Sequence, residues 1–223
     1  ELVLRWTRDT DRGEYERRVH DGTLGEILRR VRVAPGDAFY LPAGTLHAIG
    51  AGIQLFETQQ ASDLTYRIFD WNRVGPDGKP RALHVEKAAD VLDFRATFPG
   101  AVTQVHVLAG GIDRTLAIAD PRFAVERVQV HVPGASLATH GRALTVTALD
   151  APLTIGGVAL RAWESALVAA GNAEVTFAEP GSALVVHVEP DLERLRAAAA
   201  AAGLSAGVLE RFFGQFSGAA RPA

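Results

Sequence analysis

One histidine and one arginine stand in the stretch of this sequence whose residue types and spacing best suit chemistry. His47 ends the spacing G-x5-P-x-G-x2-H, which begins at Gly36 and passes through Pro42 and Gly44. Proline ends a strand because its φ is fixed, and glycine can take the positive φ that a sharp corner needs. The pattern therefore predicts that His47 begins a strand directly after a tight corner, where its imidazole can ligate a metal ion.

The residues that follow His47 bring charged and polar groups into one short segment. Glu57 to Arg67 reads E-T-Q-Q-A-S-D-L-T-Y-R. Arginine is always charged and presents a planar fork of donors, so Arg67 can stabilise negative charge on a substrate oxygen. Glu57 can serve as a hydrogen-bond partner of another site residue or as a proton carrier. A surface ion pair for Arg67 and a turn-capping role for Asp63 are the alternatives that the residues alone leave open.

Together, these two stretches resemble the type I phosphomannose isomerases of the cupin superfamily. The spacing from Gly36 to His47 is similar to the second histidine motif of cupins, and the S-D-x-x-x-R context that ends at Arg67 narrows the resemblance. The resemblance implies that His47 binds a divalent metal, zinc by preference, and that Arg67 stabilises an enediolate. It further implies that Asp63 assists proton handling and that Arg73 helps to seat the phosphate group of the substrate.

The activity implied by this resemblance is interconversion of mannose 6-phosphate and fructose 6-phosphate through a cis-enediol(ate), with Glu57 on the substrate-binding side. The family completes its metal site with a Gln, a second His and a Glu. We expect these ligands to precede Glu1, because the sequence contains no Met and begins within a strand-like alternation. The alternative is a catalytically inactive cupin that binds a sugar phosphate or acts as a scaffold. A third interpretation is another metal cupin, such as a dioxygenase or a sugar epimerase. It fits the motif from Gly36 to His47 but does not account for Asp63 and Arg67.

Composition argues against several other classes of protein. The 223 residues carry a net charge of −3, which gives no general attraction to nucleic acid or to an anionic membrane. There is no Cys, so metal ligands must be imidazole, carboxylate or amide groups. No run approaches the roughly 20 apolar residues of a membrane span. We therefore expect a cytoplasmic monomer whose partner is a small-molecule hexose phosphate, with no nucleic acid and no membrane.

Short strands separated by Gly-rich or polar turns predict an all-β chain of two cupin-type jelly rolls, the first incomplete at its N-terminus. Residues 1–98 are assigned to the catalytic jelly roll, 99–190 to a second jelly roll without metal, and 191–223 to C-terminal helices. The second half is expected to hold seven strands between Thr115 and Val188. The strands expected in the first half after residue 36 are Ala38–Leu41, His47–Ile49, Ile53–Thr58 and Leu64–Phe69.

Helical segments are expected where apolar residues follow a helical period or where end signals occur. Thr23 to Glu26 reads T-x-x-E, which predicts a capping box. His84 to Phe94 predicts a helix that packs across a sheet, with His84 as a surface or capping group. The C-terminal helices are expected at Asp191–Ala202, which ends at Gly203, and at Ser205–Phe216.

Overall fold

The structure is a computed structural model that describes the chain in seven stretches. They are residues 1–62, 64–69, 74–79, 81–150, 152–172, 174–188 and 190–216. The chain forms two compact units that divide after Gly100. Strands dominate its regular structure, so the all-β prediction is confirmed. The predicted division of the chain into three domains, residues 1–98, 99–190 and 191–223, stays a prediction.

The first unit is built on a three-stranded antiparallel sheet of β1 (Leu2–Trp6), β2 (Leu28–Val31) and β3 (His47–Ile49). The central strand is β1, which pairs with β2 on one side and with β3 on the other. Leu4 and Trp6 of β1 are buried, as the alternation of the sequence predicted. Between them, Arg5 has a φ of 61° at a point where the register of β1 against β2 shifts. Such a bulge redirects a side chain, here at the cost of a left-handed backbone.

The helical segments of the first unit are α1 (Arg12–His20), a 3-10 turn (Leu24–Ile27) and α2 (Val85–Ala89). They include one that the sequence analysis did not assign, α1, and one that is shorter than predicted, α2. The predicted capping box at Thr23 is wrong, because the Thr23 side chain makes no capping hydrogen bond and the carboxylate of Glu26 pairs with Arg18 at 3.0 Å. The predicted continuation of α2 to Phe94 is also wrong, since the backbone after Asp90 turns to bind another segment.

Three of the four strands that we expected after residue 36 are not present as strands. His47–Ile49 is confirmed, whereas Ala38–Leu41, Ile53–Thr58 and Leu64–Phe69 form no ladder with any stretch that the structure describes. Alternation of apolar and polar residues suits a strand, but a strand also needs a neighbour that accepts its backbone hydrogen bonds. β3 has that neighbour in β1, and so only this prediction succeeds.

An aromatic cluster holds the first unit together. The rings of Trp6, Tyr15 and Phe94 lie with their centroids 5.8–6.3 Å apart. Trp6 Nε1 donates to the Asp93 carbonyl oxygen at 2.7 Å, and the Tyr15 hydroxyl donates to the Val85 carbonyl oxygen at 3.0 Å. Burial raises the pKa of Tyr15 to about 12, so this hydroxyl stays a donor across the physiological range. The cluster therefore fastens α2 and the segment after it to β1 and α1.

Among its described residues, the second unit contains ten strands and the two C-terminal helices. Six strands form an antiparallel sheet in the order β11-β8-β13-β6-β5-β4, and the pairs β12-β7 and β10-β9 form two smaller sheets. The expected strands are found, and β4, β7 and β10 are additional. The bounds are β4 Val105–Ala109, β5 Ile112–Asp120, β6 Phe123–Val130, β7 Ser136–Ala138, β8 Leu144–Ala148, β9 Leu153–Ile155, β10 Val158–Leu160, β11 Ser165–Val168, β12 Glu174–Thr176 and β13 Gly181–Val188.

Two helices close the second unit, as the sequence predicted. α3 (Leu192–Ala201) begins after Asp191, whose Oδ1 accepts from the amide of Arg194, and it is followed by Gly203 with a φ of 97°. α4 (Ala206–Gly214) buries Phe212 and its apolar neighbours. Both helices line a cleft against the turn between β5 and β6. Within the stretches that the structure describes, no helix has the length and apolar character that crossing a bilayer requires.

A buried charge cluster interrupts the apolar interior of the second unit. Glu126 on β6 is fully buried and receives two hydrogen bonds of 2.6 Å from the guanidinium of Arg114 on β5. The Nε2 atom of His187 on β13 lies 3.0 Å from Glu126 Oε1. Burial alone would raise the pKa of Glu126, but His187 and Arg114 together lower it to about 2. The carboxylate is therefore charged at neutral pH, and its stability in the core depends on Arg114.

Removal of the guanidinium should destabilise the second unit strongly. We expect Arg114→Ala to lower the free energy of unfolding by about 3–5 kcal/mol, because it leaves a buried carboxylate without its main partner. The measurement is urea unfolding at pH 7. Arg161→Ala is the matched control, since Arg161 pairs with Glu164 but is 86% exposed, and its loss should cost below about 1 kcal/mol. Equal effects of the two substitutions would contradict the account.

Candidate metal and substrate site

The corner before His47 has the geometry that the sequence predicted. The amide of Thr45 donates to the Pro42 carbonyl oxygen at 3.1 Å, which closes a four-residue turn. Gly44, the third residue of the turn, has a φ of 80°. A positive φ at this position is typical of a type II turn and favours glycine. Strand β3 begins two residues after the turn, with His47 as its first residue.

The ring of His47 is oriented by the same corner. Nδ1 of His47 lies 3.0 Å from the carbonyl oxygen of Thr45, and the side chain is exposed. A carbonyl oxygen can only accept, so Nδ1 carries the proton and Nε2 of the neutral ring presents a lone pair. A backbone carbonyl that fixes the tautomer in this way is the usual support of a metal-ligating histidine. His47 thus has the chemistry of a metal ligand through Nε2.

Backbone contacts hold this corner from two sides. The amide of Asp93 donates to the Gly44 carbonyl oxygen at 3.0 Å, and the amide of Arg5 donates to the Leu46 carbonyl oxygen at 2.9 Å. A Cβ atom on Gly44 would lie 2.4 Å from the carbonyl oxygen of Val91. Glycine is therefore required at residue 44 for two reasons, the positive φ and the close approach of another backbone segment.

A charge cluster around Asp93 adds side-chain contacts to the corner. Arg5 donates through Nη1 to Asp93 Oδ2 at 2.9 Å and through Nη2 to the Thr45 hydroxyl at 3.3 Å. Arg95 donates to both carboxylate oxygens of Asp93 at 2.8 Å. Hydrogen bonds from Arg95, and then from Arg5, lower the pKa of Asp93 well below its ordinary value against the opposing effect of burial. The left-handed backbone of Arg5 thus directs its guanidinium towards the residue whose carbonyl oxygen orients His47.

Arg67 is held through its backbone by a residue that lies 17 positions later. The Arg67 amide donates to Nδ1 of His84 at 3.2 Å, and the His84 amide donates to the Arg67 carbonyl oxygen at 2.7 Å. Both Arg67 and His84 are half-buried. His84 immediately precedes α2, yet its side chain makes no capping hydrogen bond to that helix. His84 thus occupies the N-cap position of α2, in keeping with the predicted capping group, but its side chain binds the Arg67 amide instead of the helix.

The other predicted site residues are less fully described. Glu57 is exposed, and its Oε1 accepts from Nε2 of Gln59 at 2.6 Å. Asp63 and Arg73 lie outside the described residues, so their assigned roles stay predictions. None of the contacts described above joins His47, Glu57 and the Arg67 backbone to one another.

His47 fits a metal site as one ligand. Across the parts of the chain that the structure describes, no group of three or more His, Cys, Asp or Glu side chains could hold a metal ion. The imidazole has the correct tautomer and an accessible Nε2, whereas a tetrahedral catalytic zinc needs three protein ligands in most enzymes. Zinc and the other ligands therefore remain predictions from the resemblance.

Sequence reasoning missed the residues that support the site. Arg5, Asp93 and His84 contact the corner or Arg67 from distant positions in the chain. No short motif announces such contacts, because they depend on how separate segments pack. One local signal is present, because Asp93 lies two residues before Arg95 and this spacing allows their side chains to pair. The spacing does not show that Asp93 lies beside Gly44.

Comparison with curated proteins gives two clear similarities. No protein-family model matches the sequence. The chain is 38% identical over 117 residues to mannose-6-phosphate isomerase of Streptococcus mutans, which is 52% of this chain and 36% of that protein. It is 49% identical over 84 residues to a mannose-6-phosphate isomerase of Bacillus subtilis, which is 38% of this chain and 27% of that protein. The chain thus spans between a quarter and two fifths of the length of these relatives.

A solved structure supports the same conclusion. The crystal structure of the mannose 6-phosphate isomerase from Bacillus subtilis matches this chain with a TM-score of 0.73 and 25% sequence identity. The match covers 83% of this chain and 59% of that chain. The predicted resemblance to type I phosphomannose isomerases and the predicted cupin fold are both confirmed by these similarities.

A methyl group on Gly44 should disturb the corner. We expect Gly44→Ala to lower the free energy of unfolding by more than the roughly 1–2 kcal/mol that a left-handed backbone costs, because the Val91 carbonyl must also move. Gly52→Ala is the matched control, since Gly52 has a φ of 77° but open space where a Cβ atom would lie. Chemical unfolding of both variants measures the difference, and a Gly44→Ala effect no larger than that of Gly52→Ala would refute the crowding argument.

The charge cluster should make the first unit sensitive to acid. The pKa of Asp93 is lower in the folded chain than the ordinary value of 3.8, so the unfolded chain takes up a proton first as the pH falls. The stabilisation by Asp93 is therefore present above about pH 5 and is lost progressively below about pH 4. Urea unfolding across this range should show that Asp93→Asn destabilises most at neutral pH and least in acid.

Asp90→Asn is the control for this pH series. Asp90 pairs with Arg12 at 2.6 Å, but its side chain is 63% exposed, so its substitution should have a small effect at every pH. A pH-independent effect of Asp93→Asn would contradict the role of the carboxylate charge.

Proposed function

We propose that the protein containing this chain interconverts mannose 6-phosphate and fructose 6-phosphate, and that this chain supplies part of the site. The observation that carries the proposal is the identity of 38–49% with proteins named mannose-6-phosphate isomerase. Because the chain spans only part of their length, the activity is a proposal for the whole protein. The substrate is a small-molecule hexose phosphate, and a cytoplasmic monomer without nucleic acid or membrane partners stays our prediction from composition.

His47 is proposed to hold a divalent metal, zinc by preference, through Nε2. The hydrogen bond from Nδ1 to the Thr45 carbonyl oxygen supports this role, since it fixes the ring and leaves the lone pair of Nε2 available to a metal ion. A divalent metal supplies a Lewis acid that polarises substrate oxygens. The further ligands that we expect from the resemblance are a Gln, a second His and a Glu.

Arg67 is proposed to stabilise the charge of the reaction. Conversion of the aldose to the ketose moves one proton from C2 to C1 and another from the C2 hydroxyl to O1, and it passes through a cis-enediol(ate). Negative charge then grows on O1 and O2, and a fixed guanidinium lowers the free energy of that state more than that of the substrate. The half-buried position of Arg67 favours this role, because a charge acts more strongly where water is partly excluded.

The remaining polar residues are proposed to handle the proton and the phosphate. Asp63 assists proton transfer, Arg73 contacts the phosphate group, and Glu57 contacts the substrate. A guanidinium suits a phosphate because its donors can bind two oxygens at once. These three assignments rest on the resemblance and on the residue types.

A coupled isomerisation assay tests the proposed function. The protein encoded by the complete reading frame should convert mannose 6-phosphate, lose activity with a chelator and recover it with Zn²⁺. His47→Ala and Arg67→Ala should each lower kcat/KM by at least about 100-fold, the usual cost of losing one charge-stabilising group. His20→Ala and Arg161→Ala are matched controls, since both side chains are more than four-fifths exposed.

A folded, metal-supplied protein without isomerase activity would refute the proposal. Binding of mannose 6-phosphate by that inactive protein would then favour the alternative of a sugar-phosphate-binding module.

A further inference from the structure

We propose that His84 is a positioning residue for Arg67, and that it acts through the backbone of Arg67 in a neutral form with its proton on Nε2. The inference rests on the proposed function, because it takes the role of Arg67 from it. His84 itself is not placed against the substrate. Its contribution is to fix where the Arg67 side chain leaves the backbone.

The contact between the two residues is reciprocal. The amide of Arg67 donates to His84 Nδ1 at 3.2 Å, while the carbonyl oxygen of Arg67 accepts from the His84 amide at 2.7 Å. One residue thus binds both backbone polar groups of Arg67. Such a pair of bonds restrains both position and rotation of the peptide, which a single bond does not.

The direction of the first bond determines the state of the imidazole. A backbone amide can only donate, so Nδ1 must present its lone pair, and the proton of the neutral ring must be on Nε2. A doubly protonated ring has no acceptor and cannot make this bond. We call the two hydrogen bonds between His84 and the Arg67 backbone the clamp. The Tyr66 ring lies beside the imidazole, with the ring centroids 6.1 Å apart, so the residue that precedes Arg67 flanks the clamp.

His84 is well placed to restrain another segment because it is itself anchored. Its carbonyl oxygen accepts from the Ala88 amide at 2.9 Å within α2, and both Ala88 and Ala89 are buried. The next residue, Val85, accepts from the hydroxyl of the buried Tyr15. The imidazole is therefore connected through one peptide to the aromatic cluster of the first unit.

The segment that contains Arg67 needs such a restraint. Residues 64–69 lie outside the strands and helices of the described chain, and Leu64 and Phe69 are 75% and 58% exposed. Ile68 is the apolar side chain of this segment that packs against the buried cluster of the first unit, so packing holds the segment at one point. A misplacement of a catalytic group by about 1 Å can cost about 100-fold in rate, so a clamp to the core has a direct value for an arginine that must meet developing charge.

Three substitutions of His84 separate this role from a general effect on folding. His84→Asn places an amide oxygen where Nδ1 stood and can accept from Arg67, whereas His84→Gln carries its amide one methylene further, near the position of Nε2. We expect His84→Ala and His84→Gln to lower kcat by about 10–100-fold with a smaller change in KM, because the loss falls on transition-state stabilisation. His84→Asn should recover most of kcat. Lys87→Ala, an exposed position of α2, is the control.

A spectroscopic readout decides the clamp independently of activity. In ¹⁵N spectra of the protein, the His84 imidazole should show a protonated Nε2 and an unprotonated Nδ1, with the Arg67 amide shifted in His84→Gln but not in His84→Asn. A proton on Nδ1, or equal kcat values for His84→Asn and His84→Gln, would overturn the inference. If the wild-type protein proves inactive, the proposed function fails, but the tautomer and the Arg67 amide shift still confirm or refute the clamp.

Discussion

The corner between Pro42 and His47 is the constraint on which the candidate site depends. Its glycine allows the backbone at Val91 and Asp93 to approach closely, and the amide of Asp93 then closes the corner with a hydrogen bond to residue 44. The same segment carries Phe94, whose ring belongs to the aromatic cluster. The position of one exposed imidazole is thus connected to the buried core by a short path of backbone contacts, and a shift in that core would move the candidate metal ligand.

In the first unit, an ionised carboxylate and its arginine partners orient neighbouring groups. In the second unit, an ionised carboxylate lies buried within the core. Asp93 is bound by two arginines, one of which also reaches the hydroxyl of Thr45, the residue whose carbonyl oxygen accepts from His47. Glu126 is bound by Arg114 inside a dense six-stranded sheet. Both carboxylates remain ionised because their partners outweigh burial, two guanidinium groups for Asp93 and the side chains of His187 and Arg114 for Glu126. In the first unit, the strained backbone of Arg5 is the cost of aiming a cation at the site, a kind of strain that functional regions often retain.

The sequence was most informative where local chemistry determines the backbone. Pro42 and Gly44 predict a corner at a defined distance from His47. Asp191 and Gly203 predict the two ends of a helix. Both predictions are possible because caps and turns depend on a few adjacent residues. Prediction failed at residues 53–58 and 64–69, where an apolar alternation suggested strands but no described neighbour pairs with them. It also did not find the partner of the His84 side chain, which is 17 residues away. The candidate ligand could be found from the sequence, whereas the residues that orient it required the packed structure.

The central claim is that the corner presents Nε2 of His47 to a metal ion, and a metal-substitution experiment tests it most directly. The protein encoded by the complete reading frame, labelled with ¹⁵N at histidine, would be loaded with ¹¹³Cd²⁺ in place of zinc. The account predicts a ¹¹³Cd–¹⁵N coupling at Nε2 of His47, with Nδ1 still protonated against the Thr45 carbonyl oxygen. Coupling at Nδ1, or bound cadmium without any coupling to His47, would contradict it.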